Sequence, residues 1–485
     1  MKILFASSEV TPYAKSGGLA DVSGALPKAL ESLGAEAAII MPKYKSCSLE
    51  KWHLEKLPVP LKVPISGRIE EASLYWANHS EKTKIYFIEK DDYYLRDALY
   101  QTLDGDYPDN AERFAFFSRA ILEAAKAINF KPDVIHLNDW QTAMTSVFLK
   151  EFYRDDPFFN KTAAVLTIHN LGYQGLFWHY DMHLTNLPWD YFTYEKLEFW
   201  GKLNFLKGGI VFSDIVTTVS EKYSKEIQTK EYGFGLEGVL KTKKGSLFGI
   251  LNGVDYSDWN PETDNLIPEK YSAKSLKGKK VCKSKLQEQF KLPITDKIPV
   301  IGMITRLTTQ KGLDILMESL PLLISKGKKF QLVVLGSGDE IYQNFFKEIS
   351  EKYPHIIGVK LGFDNALAHL IEAGSDMFLM PSKYEPCGLN QMYSLKYGTI
   401  PIVRATGGLD DTVKNFNPKT LKGNGIKFLE YSGKALLSAV TKGIGYFEDK
   451  KSWNVLVKNI INEDFSWETS AKKYLKVYKT AMKRL

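Results

Sequence analysis

Few cysteines, a small net charge and no long apolar run characterise this sequence. Its three cysteines, Cys47, Cys282 and Cys387, lie far apart, which excludes a disulfide framework and a zinc spacing and favours a reducing compartment. A net charge of +7 over 485 residues argues against a dedicated nucleic-acid binder. No run reaches the ~20 apolar residues of a membrane span. The N-terminal run Ile3–Ala6 is shorter than the ~7–15 residues of a signal-peptide core, so we expect no nucleic-acid or membrane partner.

Short apolar runs alternate with amphipathic stretches along the chain. In the first half, a strand is predicted over residues 2–8, a helix over 20–33 and a strand over 36–41. A second strand-and-helix series begins near Ile298. Such alternation predicts parallel sheets covered by helices, so we expect an α/β protein of two Rossmann-like, doubly wound halves facing a central cleft. We assign residues 1–245 to the first domain, 246–465 to the second and 466–485 to a final amphipathic helix.

Two strand-to-helix junctions carry cations. Lys15–Asp21 (KSGGLAD) follows the first strand, and its paired glycines would let a ligand approach a helix N-terminus. Arg306 and Lys311 lie five residues apart at the corresponding junction of the second half, and a guanidinium with an ammonium suits a diphosphate. Each loop taken alone is also compatible with an ordinary turn that carries solvated basic residues. Because both halves carry such a loop, the pattern favours a ligand with two parts. One half would bind its diphosphate, and the other half would recognise the group attached to that diphosphate.

Three further loops place polar residues after predicted strands. Glu385 could accept hydrogen bonds from sugar hydroxyls or simply favour the start of a helix, and Cys387 alone is more typical of a small buried hydrophobe. His169 ends a strand before a Gly-rich loop, although a lone histidine is more often a structural hydrogen-bonding group. Thr406 and Gly407 precede another helix.

Two other classes of protein are disfavoured. His179 and His183 have the spacing of a metal-binding pair, but the Glu of a His-Glu-x-x-His motif is absent, so no metal site is predicted. Gly336–Gly338 is the nearest approach to a dinucleotide fingerprint. Its third glycine is missing and Glu340 comes too early for a ribose carboxylate, which disfavours a nicotinamide dehydrogenase.

Taken in order, these loops resemble those of the bacterial glycogen synthase and plant starch synthase family. Lys15–Asp21 is similar to that family's Lys-Thr-Gly-Gly-Leu signature. The segments that match nearly throughout are 167–177, 249–261, 305–313, 381–391 and 396–413. The resemblance implies a B-type glycosyltransferase fold whose C-terminal helix crosses back to the first domain. It also implies a hexosyltransferase that moves glucose from ADP-glucose to the non-reducing end of an α-1,4-glucan such as glycogen, with retention of configuration. Because Arg306 and Lys311 could neutralise the diphosphate and no metal motif is convincing, we expect no metal or other cofactor, and the absence of a transit peptide favours a cytoplasmic enzyme.

The resemblance implies the site residues as well. The catalytic set that it implies is Glu385, His169, Arg306, Lys311 and Asp21. The donor-binding set that it implies is Lys15, Gly18, Asn252, Cys387, Gly388, Leu389, Thr406 and Gly407. No metal ligand belongs to either set.

The sequence departs from the family at a few positions. The family stretch His-x-His-Asp-Trp-His reads HLNDWQ over His136–Gln141 here, so two imidazoles are replaced near the expected acceptor side. Ser16 stands where Thr is usual. Two other functions stay open: another retaining nucleotide-sugar transferase of this fold, with UDP-glucose as donor or a different acceptor, and a non-catalytic glucan-binding protein. No oligomeric state is predicted.

Overall fold

The computed structural model describes residues 1–102 and 105–485, which separate into two compact units. One comprises Met1–Gly253 together with Trp467–Leu485, and the other comprises Val254–Ser466. Across the described ranges, no helix combines the length and the apolar character that crossing a membrane requires.

The first unit is built on a mixed sheet flanked by helices. Its strands are β1 (Lys2–Ala6), β2 (Glu36–Pro42), β3 (Glu55–Lys56), β4 (Leu61–Ile65), β5 (Arg68–Asn78), β6 (Lys84–Glu89), β7 (Gln101–Thr102), β8 (Gly105–Asp106), β9 (Val134–Asn138), β10 (Ala163–Ile168), β11 (Leu176–Trp178), β12 (Glu198–Phe199), β13 (Lys202–Asn204), β14 (Ile215–Thr218) and β15 (Leu247–Gly249). Its helices up to residue 253 are α1 (Gly18–Ser32), α2 (Leu49–Trp52), α3 (Asp91–Tyr94), α4 (Asn110–Ala127), α5 (Trp140–Phe152), α6 (Phe205–Phe212), α7 (Glu221–Glu226) and α8 (Glu237–Thr242). The main sheet runs β15-β14-β10-β9-β1-β2-β6-β5-β3, with β4 paired to β5. It is parallel from β15 to β6 and antiparallel beyond.

The second unit is a parallel sheet between two layers of helices. Its helices are α9 (Lys277–Gln289), α10 (Leu313–Ser325), α11 (Glu340–Lys352), α12 (Asn365–Gly374), α13 (Asn390–Lys396), α14 (Gly407–Thr412), α15 (Gly433–Glu448) and α16 (Lys450–Ile461). Its strands are β16 (Val300–Ile304), β17 (Gln331–Gly336), β18 (Ile357–Leu361), β19 (Met377–Met380), β20 (Ile400–Arg404) and β21 (Ile426–Phe428). They are parallel throughout, in the order β18-β17-β16-β19-β20-β21.

Both faces of this second sheet are buried, which explains why its strands are continuous apolar runs in the sequence. Successive side chains of a strand point to opposite faces. Accordingly, Leu332 and Val334 of β17 join one apolar cluster, and Val333 and Leu335 join the other. Burying each such side chain contributes about 1.5–3 kcal/mol relative to leaving it exposed. The predicted α/β class with doubly wound sheets is confirmed.

The final helix, α17 (Trp467–Met482), packs on the first unit, against α1, β9 and β10. It buries Trp467, Ala471, Tyr474 and Tyr478 at helical spacing. The hydroxyl of Tyr478 lies 2.7 Å from Nδ1 of His136 on β9. Burial lowers the pKa of His136 to about 3, so its ring is neutral at neutral pH. The predicted return of the C-terminal helix to the first domain is confirmed.

Tyr478→Phe tests how firmly this helix is held. The substitution leaves Nδ1 of His136 buried without its hydroxyl partner, which should cost about 1–3 kcal/mol and lower the melting temperature by roughly 2–6 °C. The control is Tyr194→Phe, because Tyr194 is 78% exposed and its substitution should not change the melting temperature. Equal melting temperatures in the two variants would contradict the prediction.

Candidate functional site

In each unit, loops that follow neighbouring parallel strands meet at the carboxyl edge of the sheet, where ligands of such sheets bind. In the second unit the strands are β16, β19 and β20, and in the first unit they are β1, β9 and β10. The predicted site residues lie on these loops or at the starts of the helices that follow them, except Asn252, which follows β15.

Two glycines bring the loops of the second unit together. Gly312 has a φ of +73°, and a Cβ on it would lie 2.0 Å from the carbonyl oxygen of Pro381. Gly407 has a φ of +45°, and its Cβ would lie 1.9 Å from the carbonyl oxygen of Glu385. No side chain fits at either position. The loops after β16 and β20 therefore lie directly against the loop after β19.

An ion pair forms where these loops meet. Lys311 Nζ lies 2.7 Å from Oε2 and 3.0 Å from Oε1 of Glu385, and Ser382 Oγ donates to Oε2 at 2.9 Å. Glu385 is only 6% exposed, and a buried carboxylate needs such a counter-ion and hydrogen bonds. Both residues were predicted as catalytic, and the structure places them in direct contact.

The other predicted residues of this unit lie on the same loops. Arg306 is exposed on the loop after β16. Cys387 and Thr406 are buried. Gly388 and Leu389 directly precede α13.

In the first unit, Glu9 is a residue that sequence reasoning missed. Its buried carboxylate accepts hydrogen bonds from the backbone N–H groups of Ser16 and Gly17 and, at 2.7 Å each, from Ser16 Oγ and Tyr100 Oη. The signal available in the sequence is a lone acidic residue shortly after an apolar run.

Two predicted charges of the same loop pair with each other. Lys15 Nζ lies 2.7 Å from Oδ1 of Asp21, and both side chains reach solvent. Gly18, the predicted backbone donor, is exposed at the first residue of α1. The amides that precede it, those of Ser16 and Gly17, bind the carboxylate of Glu9.

His169 contacts Asp139 and Asn138, the latter being one of the two residues that replace the family's histidines. Its backbone N–H donates to Oδ1 of Asp139 at 2.7 Å, and its Nε2 lies 2.9 Å from Oδ1 of Asn138. Burial lowers the pKa of His169 to about 3. His169 is therefore a neutral hydrogen-bonding group at neutral pH.

Asp139 combines a rare backbone conformation with an unusual pKa. Its φ is +54°, which is uncommon for a residue other than glycine and marks strain that the surrounding structure must hold. Burial raises its pKa to about 7, although hydrogen bonds from the backbone of His169 and Asn170 oppose the rise. The sequence could not reveal either feature, since both depend on how β9 and β10 pair.

Asn252 is the last of the predicted site residues in the first unit. Its side chain is 5% exposed, and its buried Oδ1 has no hydrogen-bond partner within residues 1–102 and 105–485. Buried polar atoms are nearly always paired. An unpaired amide oxygen at a predicted contact position is suited to accept a hydrogen bond from a ligand.

The histidine pair of the sequence does not gather metal ligands. His183 Nδ1 lies 2.6 Å from the carbonyl oxygen of Tyr180. In the part of the chain that the structure describes, no three His, Cys, Asp or Glu side chains are arranged to hold a metal ion.

Asp139→Asn tests the raised pKa. Between about pH 4, where this carboxyl ionises in the unfolded chain, and pH 7, the folded protein binds the extra proton, so wild-type stability falls as the pH rises through this window. Because the amide of Asn does not bind or release a proton in this range, the variant does not show that fall in stability. The variant's free energy of unfolding, relative to wild type, should therefore rise from pH 4 to pH 7 by up to about 4 kcal/mol and then level off.

Urea denaturation at several pH values measures this difference. The control is Asp155→Asn, which makes the same change at an exposed position. A difference for Asp139→Asn that varies with pH no more than that of the control would contradict the prediction.

Two family models cover most of the chain. Residues 2–242 match the starch synthase catalytic domain, and residues 284–459 match the glycosyl transferases of group 1. Full-length relatives are similar as well. The chain is 51% identical to a glycogen synthase from Koribacter versatilis, with 99% of this chain and 98% of the relative covered. It is 45% identical to one from Thermotoga maritima over all of both chains.

Solved structures agree with these relationships. The catalytic domain of starch synthase IV from Arabidopsis thaliana, bound to ADP and acarbose, matches 99% of each chain with a TM-score of 0.91 and 32% identity. A sucrose-phosphate synthase from Thermosynechococcus elongatus matches over both full chains with a TM-score of 0.61 and 15% identity, which shows a shared fold alone. The predicted B-type glycosyltransferase fold is confirmed.

Proposed function

The chain belongs to the family of bacterial glycogen synthases and plant starch synthases, and we propose from this premise that it transfers glucose from ADP-glucose to the non-reducing end of an α-1,4-glucan. The configuration at the transferred carbon is retained. The ADP in the Arabidopsis relative supports the nucleotide, and the name glycogen synthase of the bacterial relatives supports the acceptor. Three free, buried cysteines support a reducing, cytoplasmic compartment.

The observation that carries the proposal is the Lys311–Glu385 ion pair on three converging loops. Breaking the bond between glucose and phosphate develops negative charge on the leaving ADP and positive charge on the sugar. The cation of the pair could stabilise the negative charge on ADP, and the anion could stabilise the positive charge on the sugar. Both side chains are largely shielded from water. Fixed groups of this kind need no rearrangement during the reaction.

In this proposal, the second unit binds the diphosphate. Arg306 and Lys311 stabilise the leaving group, and the ammonium of Lys311 carries three N–H donors, so its two contacts with Glu385 leave one for a phosphate oxygen. Glu385 accepts hydrogen bonds from the glucosyl hydroxyls and offsets the positive charge of the sugar. The further donor contacts in this unit are Cys387, Gly388, Leu389, Thr406 and Gly407.

The first unit supplies mainly neutral groups to the sugar. His169, neutral because of its low pKa, donates or accepts a hydrogen bond rather than a proton. Asn252 offers its unpaired amide oxygen. Lys15 and Gly18 contact the donor phosphates, and Asp21 acts through its pairing with Lys15.

The direct experiment is ADP release on mixing the protein with ADP-glucose and glycogen. We expect release with both substrates present and little without glycogen. UDP-glucose in place of ADP-glucose tests the alternative donor. Glycogen binding without release from either nucleotide sugar would support a non-catalytic glucan-binding protein instead.

Because two fixed cations face the diphosphate, activity should survive EDTA, and a complete loss that added metal reverses would overturn the metal-free mechanism.

Arg306→Ala should lower turnover by about a hundredfold or more, if the guanidinium supplies roughly 3 kcal/mol to the leaving group. Folding should be unaffected, because Arg306 is exposed and such surface changes usually cost less than about 0.5 kcal/mol. Lys311→Ala should lower turnover as much, but it also leaves Glu385 buried without its counter-ion and should lower the melting temperature. Near-normal turnover in both variants would remove the leaving-group assignment.

Glu385→Gln should reduce kcat far more than it weakens donor binding, because an interaction made mainly in the transition state appears in kcat. The amide keeps the size of the side chain and removes the charge. The measurements are kcat, the Kd for ADP-glucose and the melting temperature of one purified variant.

Glu372→Gln is the matched control. Glu372 is also buried in the second unit, but burial raises its pKa to about 8, so at neutral pH the amide replaces a carboxyl that is already protonated. We expect little change in kcat. If Glu385→Gln keeps a normal kcat and only melts at a lower temperature, Glu385 serves the ion pair alone and the catalytic assignment is wrong.

A further inference from the structure

A buried glutamine lies next to the loop that carries Glu385. Gln391 is the second residue of α13, and its side chain has no exposed surface. Neither the sequence patterns nor the proposed chemistry gives it a role. Burying an amide costs free energy unless its polar atoms are paired, so the contacts of Gln391 indicate what it does there.

The donor end of Gln391 holds two consecutive carbonyl groups of that loop. Its Nε2 lies 3.1 Å from the carbonyl oxygen of Cys387, 3.0 Å from that of Gly388 and 3.3 Å from Oγ1 of Thr412. A side-chain amide has two N–H donors, so the three acceptors share them. One side chain thus fixes two adjacent peptide groups of the loop after β19.

Fixing these carbonyls also fixes the direction of two backbone N–H groups. The carbonyl of Cys387 and the N–H of Gly388 belong to one planar peptide group, and in the trans form they point in opposite directions. The carbonyl of Gly388 and the N–H of Leu389 are related in the same way. Because Gln391 lies on the carbonyl side of both peptide groups, both N–H groups point away from it.

The backbone conformation at these two residues suits an anion. Gly388 has a φ of +70°, in the left-handed region, whereas Leu389 has a φ of −116° and a ψ of −37° on the right-handed side. Successive N–H groups of residues with opposite hand form a concavity that binds anions. A phosphate oxygen is such an anion, and its binding depends on how firmly the two peptide groups are held.

The acceptor end of Gln391 contributes little to stability. Its Oε1 is buried and, within the ranges that the structure describes, has no hydrogen-bond partner. An unpaired buried oxygen is destabilising, so packing alone does not call for an amide at this position. The effect of Gln391 on the loop therefore comes from its two N–H donors.

The same amide links this loop to α14, the helix that follows β20. Thr412, whose Oγ1 accepts from Gln391, donates from that oxygen to the carbonyl oxygen of Gly408 at 2.6 Å. The backbone N–H of Gly408 in turn donates to the carbonyl oxygens of Glu385 and Pro386, at 3.2 Å and 3.1 Å. The two segments that supply backbone contacts to the donor in the proposed function are thus connected through one side chain.

We propose that Gln391 is a positioning residue for the transfer of glucose. It holds the carbonyls of Cys387 and Gly388 so that the N–H groups of Gly388 and Leu389 face the diphosphate of the donor. The inference rests on the proposed function, in which these residues contact ADP-glucose. Gln391 touches no substrate and acts only through the peptide groups that it holds. Without its two donors, these peptide groups are free to rotate, and the affinity for the diphosphate falls.

Gln391→Met tests this role, because Met has an unbranched side chain of similar length and lacks both donors. Calorimetric titration with ADP should show a Kd that is about tenfold higher than in wild type. Steady-state kinetics should show a similar rise in the KM for ADP-glucose. The KM for glycogen should stay as in wild type, since Gln391 acts only on contacts with the donor.

Gln287→Met is the matched control. Gln287 is also fully buried in the second unit, on α9, and its Nε2 donates to the carbonyl oxygen of Thr295 at 3.0 Å. Both substitutions remove the hydrogen bonds of a buried amide and should lower the melting temperature. The control should nevertheless bind ADP like wild type, so a rise in Kd for Gln391→Met alone reports positioning rather than lost stability.

Gln391→Asn keeps the test decisive if Gln391→Met does not fold. Its amide is one methylene shorter and cannot reach both carbonyls, while a polar group is retained. It should also raise the Kd for ADP, by a smaller factor.

Two results would overturn the inference and leave the proposed function standing, provided that the wild-type protein transfers glucose. One is a wild-type Kd for ADP in a folded Gln391 variant. The other is an equal rise in Kd for Gln391→Met and Gln287→Met, which would assign the effect to lost stability. A wild-type protein that neither binds ADP nor releases it from ADP-glucose would instead overturn the proposed function.

Discussion

The second unit's site depends on loop packing so close that only glycine fits at two positions. The carbonyl oxygens of Pro381 and Glu385 occupy the space that side chains on Gly312 and Gly407 would need. This packing brings Lys311 and Glu385 within 2.7 Å of each other. Because both residues sit on loops, the sheet alone would not hold them at that distance. The two glycines allow the loops after three neighbouring strands to pack together, and this packing fixes the two opposite charges in contact.

An ion pair of this kind is a weak source of stability, since withdrawing two charges from water offsets much of their attraction. Its presence is easier to explain by reactivity. In the proposed function, the pair would hold an anion and a cation ready for a reaction that separates charge in the same sense, and the loops would not have to reorganise when that charge appears. The tight packing thus serves the geometry of the charges more than the stability of the fold.

Much of the fold could be predicted from the sequence, and the reasons for the failures are physical. The helix predicted over 20–33 begins and ends within two residues of the observed α1 (Gly18–Ser32), because its apolar residues recur at helical spacing. By contrast, α5 was not predicted, since it is buried along ten consecutive residues and has little amphipathic periodicity. The residues of the loops were found because glycine pairs and charges stand out after apolar strands. Other features depend on contacts that no local pattern encodes. They are the pairing of Lys15 with Asp21, the hydrogen bonds from the amides before α1 to Glu9, and the left-handed backbone of Asp139.

The two units use different electrostatics at corresponding edges of their sheets. The second unit presents a charged pair with an exposed guanidinium nearby on the same loop. In the first unit, burial favours the neutral forms of His136 and His169 and raises the pKa of Asp139. Neutral donors and acceptors discriminate among hydroxyl groups by position, because an unmatched buried polar group costs about 1–3 kcal/mol. In the proposed function, the fixed charges of the second unit would instead act on the phosphates, where charge changes during the reaction. The replacement of two family histidines by Asn138 and Gln141 fits this division, since the side-chain amides of these two residues stay neutral at every pH.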